Sequence, residues 1–261
     1  MSSFNRLHPD LDAYTFRFQD DLLNEIRGSY LQKLAPILEN PQNQYLFEGG
    51  RSHRATLCAS APYFALSFES YPLLWISNNN QEIYQIFRRF FEASGLAEHA
   101  RRLVDYRESI VMYCGFLVVG NRAPAAHWHC DYAPGANAFT LITPLFELEP
   151  EHGHLLYKLG SQTERYEYTL GEAIFFGDRT AHCTEPYLPS DSKRVLVSMT
   201  FGTDKLEYWP LLKETLESQA RYFMLPCGHI FGRCDCLRPS VLERLGRRLY
   251  QRLVPTSVIT S

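Results

Sequence analysis

Residues 110–203 are a succession of short apolar or alternating runs, each closed by turn-forming residues. Eight such runs are legible, at 110–120, 125–131, 138–144, 154–159, 164–169, 172–177, 181–186 and 194–203. The breaks fall at Pro134-Gly135, 149–153, Gly160-Ser161, Leu170-Gly171, Gly177-Asp178 and 189–192. Glycine and proline at such points stop a helix and reverse the chain. Short strands repeated at this spacing fold as a sandwich or barrel, and eight is the strand count of a jelly roll.

The flanks follow a different rhythm. Residues 16–38 carry Phe18, Leu22, Leu23, Ile26, Tyr30, Leu31 and Leu34 at helical spacing, and 81–106 repeat the pattern with Ile83, Ile86, Phe87, Phe90 and Phe91. Asn78-Asn79-Asn80 supplies capping residues for the second helix, and Gly95 divides it. Residues 61–70 read as an aromatic-rich strand or connector, and 206–223 and 239–253 as C-terminal helices. The expected fold class is mainly β with flanking helices around a jelly-roll core. One domain is expected to span 1–261: a mixed, partly helical part over 1–109, the jelly roll over 110–203, and a helical part over 204–261. The helices are expected to cover the outside of the barrel.

Composition bears on partners. A chain with 45% hydrophobic and 21% charged residues builds a core, which excludes disorder. A formal net charge of −3 offers no basic face for nucleic acid. No run approaches the roughly 18 apolar residues of a membrane span, and the first residues lack the apolar stretch of a signal peptide. Seven cysteines, mostly scattered, suit a reducing compartment, so a cytoplasmic location is expected.

Chemistry concentrates in Ala125-Ala126-His127-Trp128-His129-Cys130-Asp131-Tyr132. On a strand, side chains alternate, so His127, His129 and Asp131 share one face. Same-face Cα atoms are about 6.5–7 Å apart, which lets His129 and Asp131 converge on one ion. His182 lies 51 residues beyond Asp131, a length that carries the chain around a jelly roll to a neighbouring strand. Two imidazoles and one carboxylate are the facial set of non-heme Fe(II) oxygenases, which leaves coordination positions open. Arg194 follows 12 residues after His182 and opens the last strand. There Arg194, Leu196, Ser198 and Thr200 share one face, and Val195, Val197, Met199 and Phe201 the other. A guanidinium inside an apolar barrel is costly to bury alone. A ligand carboxylate, gripped bidentately, is the simplest partner.

His129-x-Asp131, His182 and Arg194 together closely resemble the Fe(II)/2-oxoglutarate-dependent dioxygenase superfamily. The resemblance covers about 110–203. It implies a double-stranded β-helix, Fe(II) held by His129, Asp131 and His182, and 2-oxoglutarate whose distal carboxylate pairs with Arg194. Ser198 is a second candidate for that carboxylate, and Tyr113, on the strand leading into the site, another cosubstrate contact. It further implies consumption of O2 and 2-oxoglutarate, release of succinate and CO2, and hydroxylation of a C–H bond. Family members that halogenate have Gly or Ala in place of Asp131. The substrate, a small molecule or a protein side chain, is not legible.

Alternatives stand beside this reading. A His127/His129/His182 set describes a cupin-type metal enzyme, although a Glu following the second histidine is lacking. A catalytically inactive jelly roll serving as a binding module is another. Arg194 has Glu172 and Asp178 as alternative partners. Trp128 and Tyr132 are expected between barrel and helices, and His152 and His154 on a surface turn. Cys227, His229, Cys234 and Cys236 put four metal-capable groups within ten residues, either as a loop with reduced cysteines or as a small zinc site. The arginines after 233 read as a solvated helix face.

Overall fold

The structure, a computed structural model, describes residues 4–58, 63–69, 71–237 and 257–259. The N-terminal part contributes β1 (Phe4–Arg6), β2 (Ala13–Arg17), β3 (His53–Leu57), β4 (Tyr63–Phe68) and β5 (Tyr71–Asn78). Its helices are α1 (Asn24–Ser29) and α2 (Ala35–Glu39), joined by a π-helical turn, and α3 (Gln81–Ala93) and α4 (Leu96–Ala100). The central part supplies β6 (Val111–Gly120), β7 (Ala138–Pro144), β8 (Leu155–Leu159), β9 (Gln162–Tyr166), β10 (Glu172–Phe176), β11 (His182–Thr184) and β12 (Arg194–Gly202). After it come α5 (Trp209–Gln219) and β13 (Ser257–Ile259).

Two sheets face each other. The larger has ten strands in the order β1-β2-β10-β7-β12-β6-β5-β4-β3-β13, and the smaller is β11-β8-β9. All contacts between neighbouring strands are antiparallel except β13 with β3. This is a jelly-roll core whose larger sheet is widened by N-terminal strands. β12 sits at its centre and is buried at every residue. Its alternation does the sorting. Val195, Val197, Met199 and Phe201 join the apolar layer under α1–α3, while Leu196 meets Leu155, Tyr157 and Phe176 between the sheets. Each such buried side chain contributes about 1.5–3 kcal/mol.

α3 forms where its pattern requires. The Asn80 side chain accepts the Ile83 amide at 3.0 Å, and Gly95, at φ +76°, ends the helix in the left-handed region. Gly115 lies under this helix. A methyl group there would run into the Phe87 ring, so glycine sets how closely α3 packs on β6.

Several expectations are corrected. The helical run expected from 16 begins later, because Ala13–Arg17 pairs with β10 and buries Phe16. β5 was not legible as a strand: an unbroken run buried on both faces has no alternation to reveal it. Residues 125–131 form no strand, only one antiparallel bridge at His129. The helix expected at 239–253 lies outside the described residues. No helix among the described residues is long and apolar enough to cross a membrane.

β12 is tied back to the approach to β6 by Asp204. Its carboxylate accepts the amides of Arg107 and Glu108 at 2.6 Å and of Ser109 at 3.1 Å. Partial burial pulls the Asp204 pKa upward, but these donors outweigh it and hold it below the ordinary 3.8. A carboxyl depressed in the folded state adds stability above its unfolded pKa, and that stability is lost as pH falls through the folded value. Asp204→Asn is expected to cost about 1 kcal/mol near neutrality. In urea unfolding over a pH series, the gap to wild type should close in acid.

Candidate active site

The site is built on one backbone pair. His129 N–H donates to His182 O at 3.0 Å, and His182 N–H donates to His129 O at 2.9 Å. Reciprocal bonding sets two residues directly opposite each other, with Cα atoms about 5.5 Å apart. The two rings therefore lie side by side, centroids 4.4 Å apart. β8 holds His182 from the other side through its pairing with Tyr157.

Each imidazole is oriented by its own chain. His129 Nδ1 lies 2.8 Å from His127 O, and His182 Nδ1 lies 3.0 Å from Thr180 O. A carbonyl only accepts, so both Nδ1 atoms carry a proton, and in each neutral ring Nε2 is the atom with the lone pair. Both Nε2 atoms turn to Asp131: His129 Nε2 is 3.5 Å and His182 Nε2 3.7 Å from Asp131 Oδ1. The other carboxylate oxygen accepts from Thr140 Oγ1, a short contact, and the Asp131 backbone carbonyl accepts from Thr215 Oγ1 of α5 at 2.7 Å. Thr140 in turn meets the Tyr132 hydroxyl at 2.7 Å.

The electrostatics agree with the geometry. Burial pushes the Asp131 carboxyl up, but His182, His129 and Thr140 outweigh it and bring it to about 2. Burial lowers His182 below its ordinary value; burial also pulls His129 down, but the hydrogen bond and charge of Asp131 outweigh it and raise that ring above its own. An ionised carboxylate and imidazole lone pairs within 4.8 Å of one another make a donor set for a divalent cation.

These groups open into a cavity between the sheets, and Arg194 lines the same cavity. Arg194 is 1% exposed, and its Nε has no hydrogen-bond partner among the described residues. The carboxylates considered for it are engaged elsewhere: Glu172 binds Arg17 at 3.0 Å, and Asp178 accepts from the Gly135 amide. The guanidinium instead lies 5.5 Å from the centre of the Tyr168 ring. Beside it, burial pushes the Tyr187 phenol up to about 12, so that hydroxyl keeps its proton.

Two cosubstrate candidates come out differently. Ser198 lines the cavity, but about 13 Å of extended chain separates it from Arg194; the nearer groups are tyrosines. Tyr113 does not line the cavity. β6 pairs Cys114 with Thr200 and then Met112 with Phe201, so Tyr113 is the extra residue of a β-bulge. Its hydroxyl donates to Thr203 O at 2.7 Å instead. A period-two reading carries no sign of that bulge.

His127 stands outside the cluster, edge-on to Tyr71 with centroids 4.8 Å apart, which removes the cupin-type set. Trp128 is exposed with Lys158 4.1 Å above its ring, whereas Tyr132 is buried as expected. His152 and His154 are buried, contrary to expectation. His154 Nδ1 accepts the Tyr168 amide at 3.0 Å and so positions the ring beside Arg194. Thr140 and Thr215 were missed in the sequence. Thr140 was recoverable, since alternation from Ala138 puts it on the cavity face; Thr215 on α5 gave no signal.

No protein-family model and no curated protein matches the chain. Solved structures do. HygX from Streptomyces hygroscopicus, solved with nickel and 2-oxoglutarate bound, superposes with a TM-score of 0.50 at 9% identity, over 74% of this chain and 83% of that one. AviO1 from Streptomyces viridochromogenes Tue57 gives 0.47 at 15% identity, over 77% and 88%. EvdMO1 gives 0.48 at 19% identity over 74% of this chain, which spans 47% of that one. What the chain shares with HygX is the fold.

The Thr140 contact is open to test. Thr140→Val removes the donor that orients Asp131 and keeps the side chain's shape. Calorimetric titration with Ni(II) or Co(II) should show affinity reduced about 10- to 100-fold, with the fold retained at a stability cost of about 1–3 kcal/mol from the two buried hydrogen bonds lost.

Proposed function

We propose that the protein is an Fe(II)- and 2-oxoglutarate-dependent oxygenase that hydroxylates a C–H bond of a small molecule or a protein side chain. One observation carries this reading: a His-Asp-His donor set shares a cavity with a buried arginine that has no carboxylate partner among the described residues.

The residues fit both groups. His129, Asp131 and His182 would hold the ion, with Thr140, His127 O and Thr180 O fixing the directions of their lone pairs. Three protein ligands leave positions for exchangeable ones. Arg194 is a buried cation at the cavity wall with no carboxylate partner among the described residues, suited to the distal carboxylate of 2-oxoglutarate. When bound, iron and cosubstrate supply an oxidant for C–H bonds, at the expense of O2, with succinate and CO2 as coproducts. The chain's own part is positioning and exclusion of water. Phe116, Val118 and Leu196 line the cavity with apolar surface, so competing hydrolytic and solvent reactions are kept out. Thr215 and Gln219 of α5, with Trp75, bound the remaining side and are the candidate substrate contacts.

A reducing location such as the cytoplasm agrees with this function, since it preserves both Fe(II) and the free cysteines. The inactive-module reading differs in one respect: it requires no cosubstrate. In solution the two separate under anaerobic conditions. Adding Fe(II) and 2-oxoglutarate should produce a visible charge-transfer band, absent in Asp131→Ala. Arg194→Leu should weaken 2-oxoglutarate binding about 10- to 150-fold, the equivalent of 1.5–3 kcal/mol for a charge-assisted pair. Equal cosubstrate binding by wild type and both variants would refute the reading.

A further inference from the structure

A second convergence of ligand atoms lies after α5, away from the cavity. Cys227, His229, Cys234 and Cys236 each offer one atom, and all four atoms lie within 4.8 Å of one another. Cys227 Sγ is 3.3 Å from Cys234 Sγ; His229 Nδ1 is 3.6 Å from Cys234 Sγ and 3.4 Å from Cys236 Sγ. Zinc bonds of about 2.3 Å to sulfur and 2.0–2.1 Å to nitrogen, set tetrahedrally, put neighbouring ligands roughly 3.5–3.8 Å apart. The four groups nearly occupy those corners already.

The local chain is shaped to present them. Gly228, at φ +74°, turns the chain between the first two ligands, and the Leu225 amide donates to His229 O at 2.8 Å. Gly232, at φ +83°, turns it again before the second pair. The Cys236 amide points at Cys234 Sγ at 3.3 Å, a donor that favours a thiolate. A Cys227–Cys234 disulfide would use two groups, and its sulfurs would have to close from 3.3 Å to about 2.05 Å. It would leave His229 and Cys236 converging on nothing.

We propose that Cys227, His229, Cys234 and Cys236 form a closed structural zinc site, independent of the oxygenase centre. Three thiolates and an imidazole are a soft, tetrahedral set, and four protein ligands leave no position for a substrate. Its mechanical role follows from what the loop packs against. Phe231 stacks on Phe223 with centroids 4.5 Å apart, and both rings lie against Trp209, which opens α5. The Met224 amide donates to Tyr113 O at 2.8 Å, the carbonyl of the bulge residue in β6. Zinc would fasten this loop onto α5, whose Thr215 holds the Asp131 carbonyl and whose Gln219 lines the cavity.

The test uses the full-length protein purified without chelator or added metal. Elemental analysis should find about one zinc per chain, retained in Asp131→Ala and lost in Cys234→Ser. Alkylation read by mass spectrometry covers the case in which Cys234→Ser does not fold. In wild type, Cys227, Cys234 and Cys236 should resist the reagent while exposed Cys130 reacts, and a strong zinc chelator should abolish that protection. Zinc that follows Asp131→Ala instead of Cys234→Ser, thiols alkylated as fast as Cys130, or a native Cys227–Cys234 disulfide without zinc would each overturn the proposal.

Discussion

Two hydrogen bonds between the backbones of His129 and His182 hold the site together. The residues are 53 apart in sequence, and no strand runs through the first of them. Reciprocal pairing sets their rings side by side, the carbonyls of His127 and Thr180 fix which nitrogen faces inward, and Asp131 completes the set. A slip of one residue in that pairing would turn one imidazole to the opposite side. The pairing of β11 with β8 has its functional effect here, by fixing the His182 segment against which His129 registers.

Arg194 carries the second constraint. A buried guanidinium costs several kcal/mol when no carboxylate answers it, and among the described residues none answers Arg194. The surrounding tyrosines offset part of this through ring and hydroxyl contacts, but they bring no opposite charge. The cavity therefore has an anionic donor set on one part of its wall and a cation on another. Under the proposed function a divalent ion would answer the first and a cosubstrate carboxylate the second.

Much of this arrangement was legible because β strands with one covered face alternate. The Arg194–Thr200 face and the β7 bounds 138–144 follow from period two alone. What was lost has specific causes. β5 is covered on both faces, so its pattern is continuous. Tyr113 is displaced by one inserted residue in the ladder. Residues 125–131 alternate like a strand but find a partner at only one position, and pairing is a property of the neighbour. His152 and His154 flank a glycine that reads as a surface turn; a side chain at Gly153 would strike the Glu185 carbonyl, so the turn is packed beneath another loop. The Cys/His convergence at 227–236 depends on two glycine turns whose folding the spacing alone does not specify.

Anomalous diffraction from crystals grown anaerobically with Fe(II) and 2-oxoglutarate is the most direct measurement of the central claim. The account requires an iron peak bound by His129 Nε2, Asp131 and His182 Nε2, with the far carboxylate of the cosubstrate on the Arg194 guanidinium. Iron bound elsewhere, or a cosubstrate density that leaves Arg194 without an anion, would contradict it.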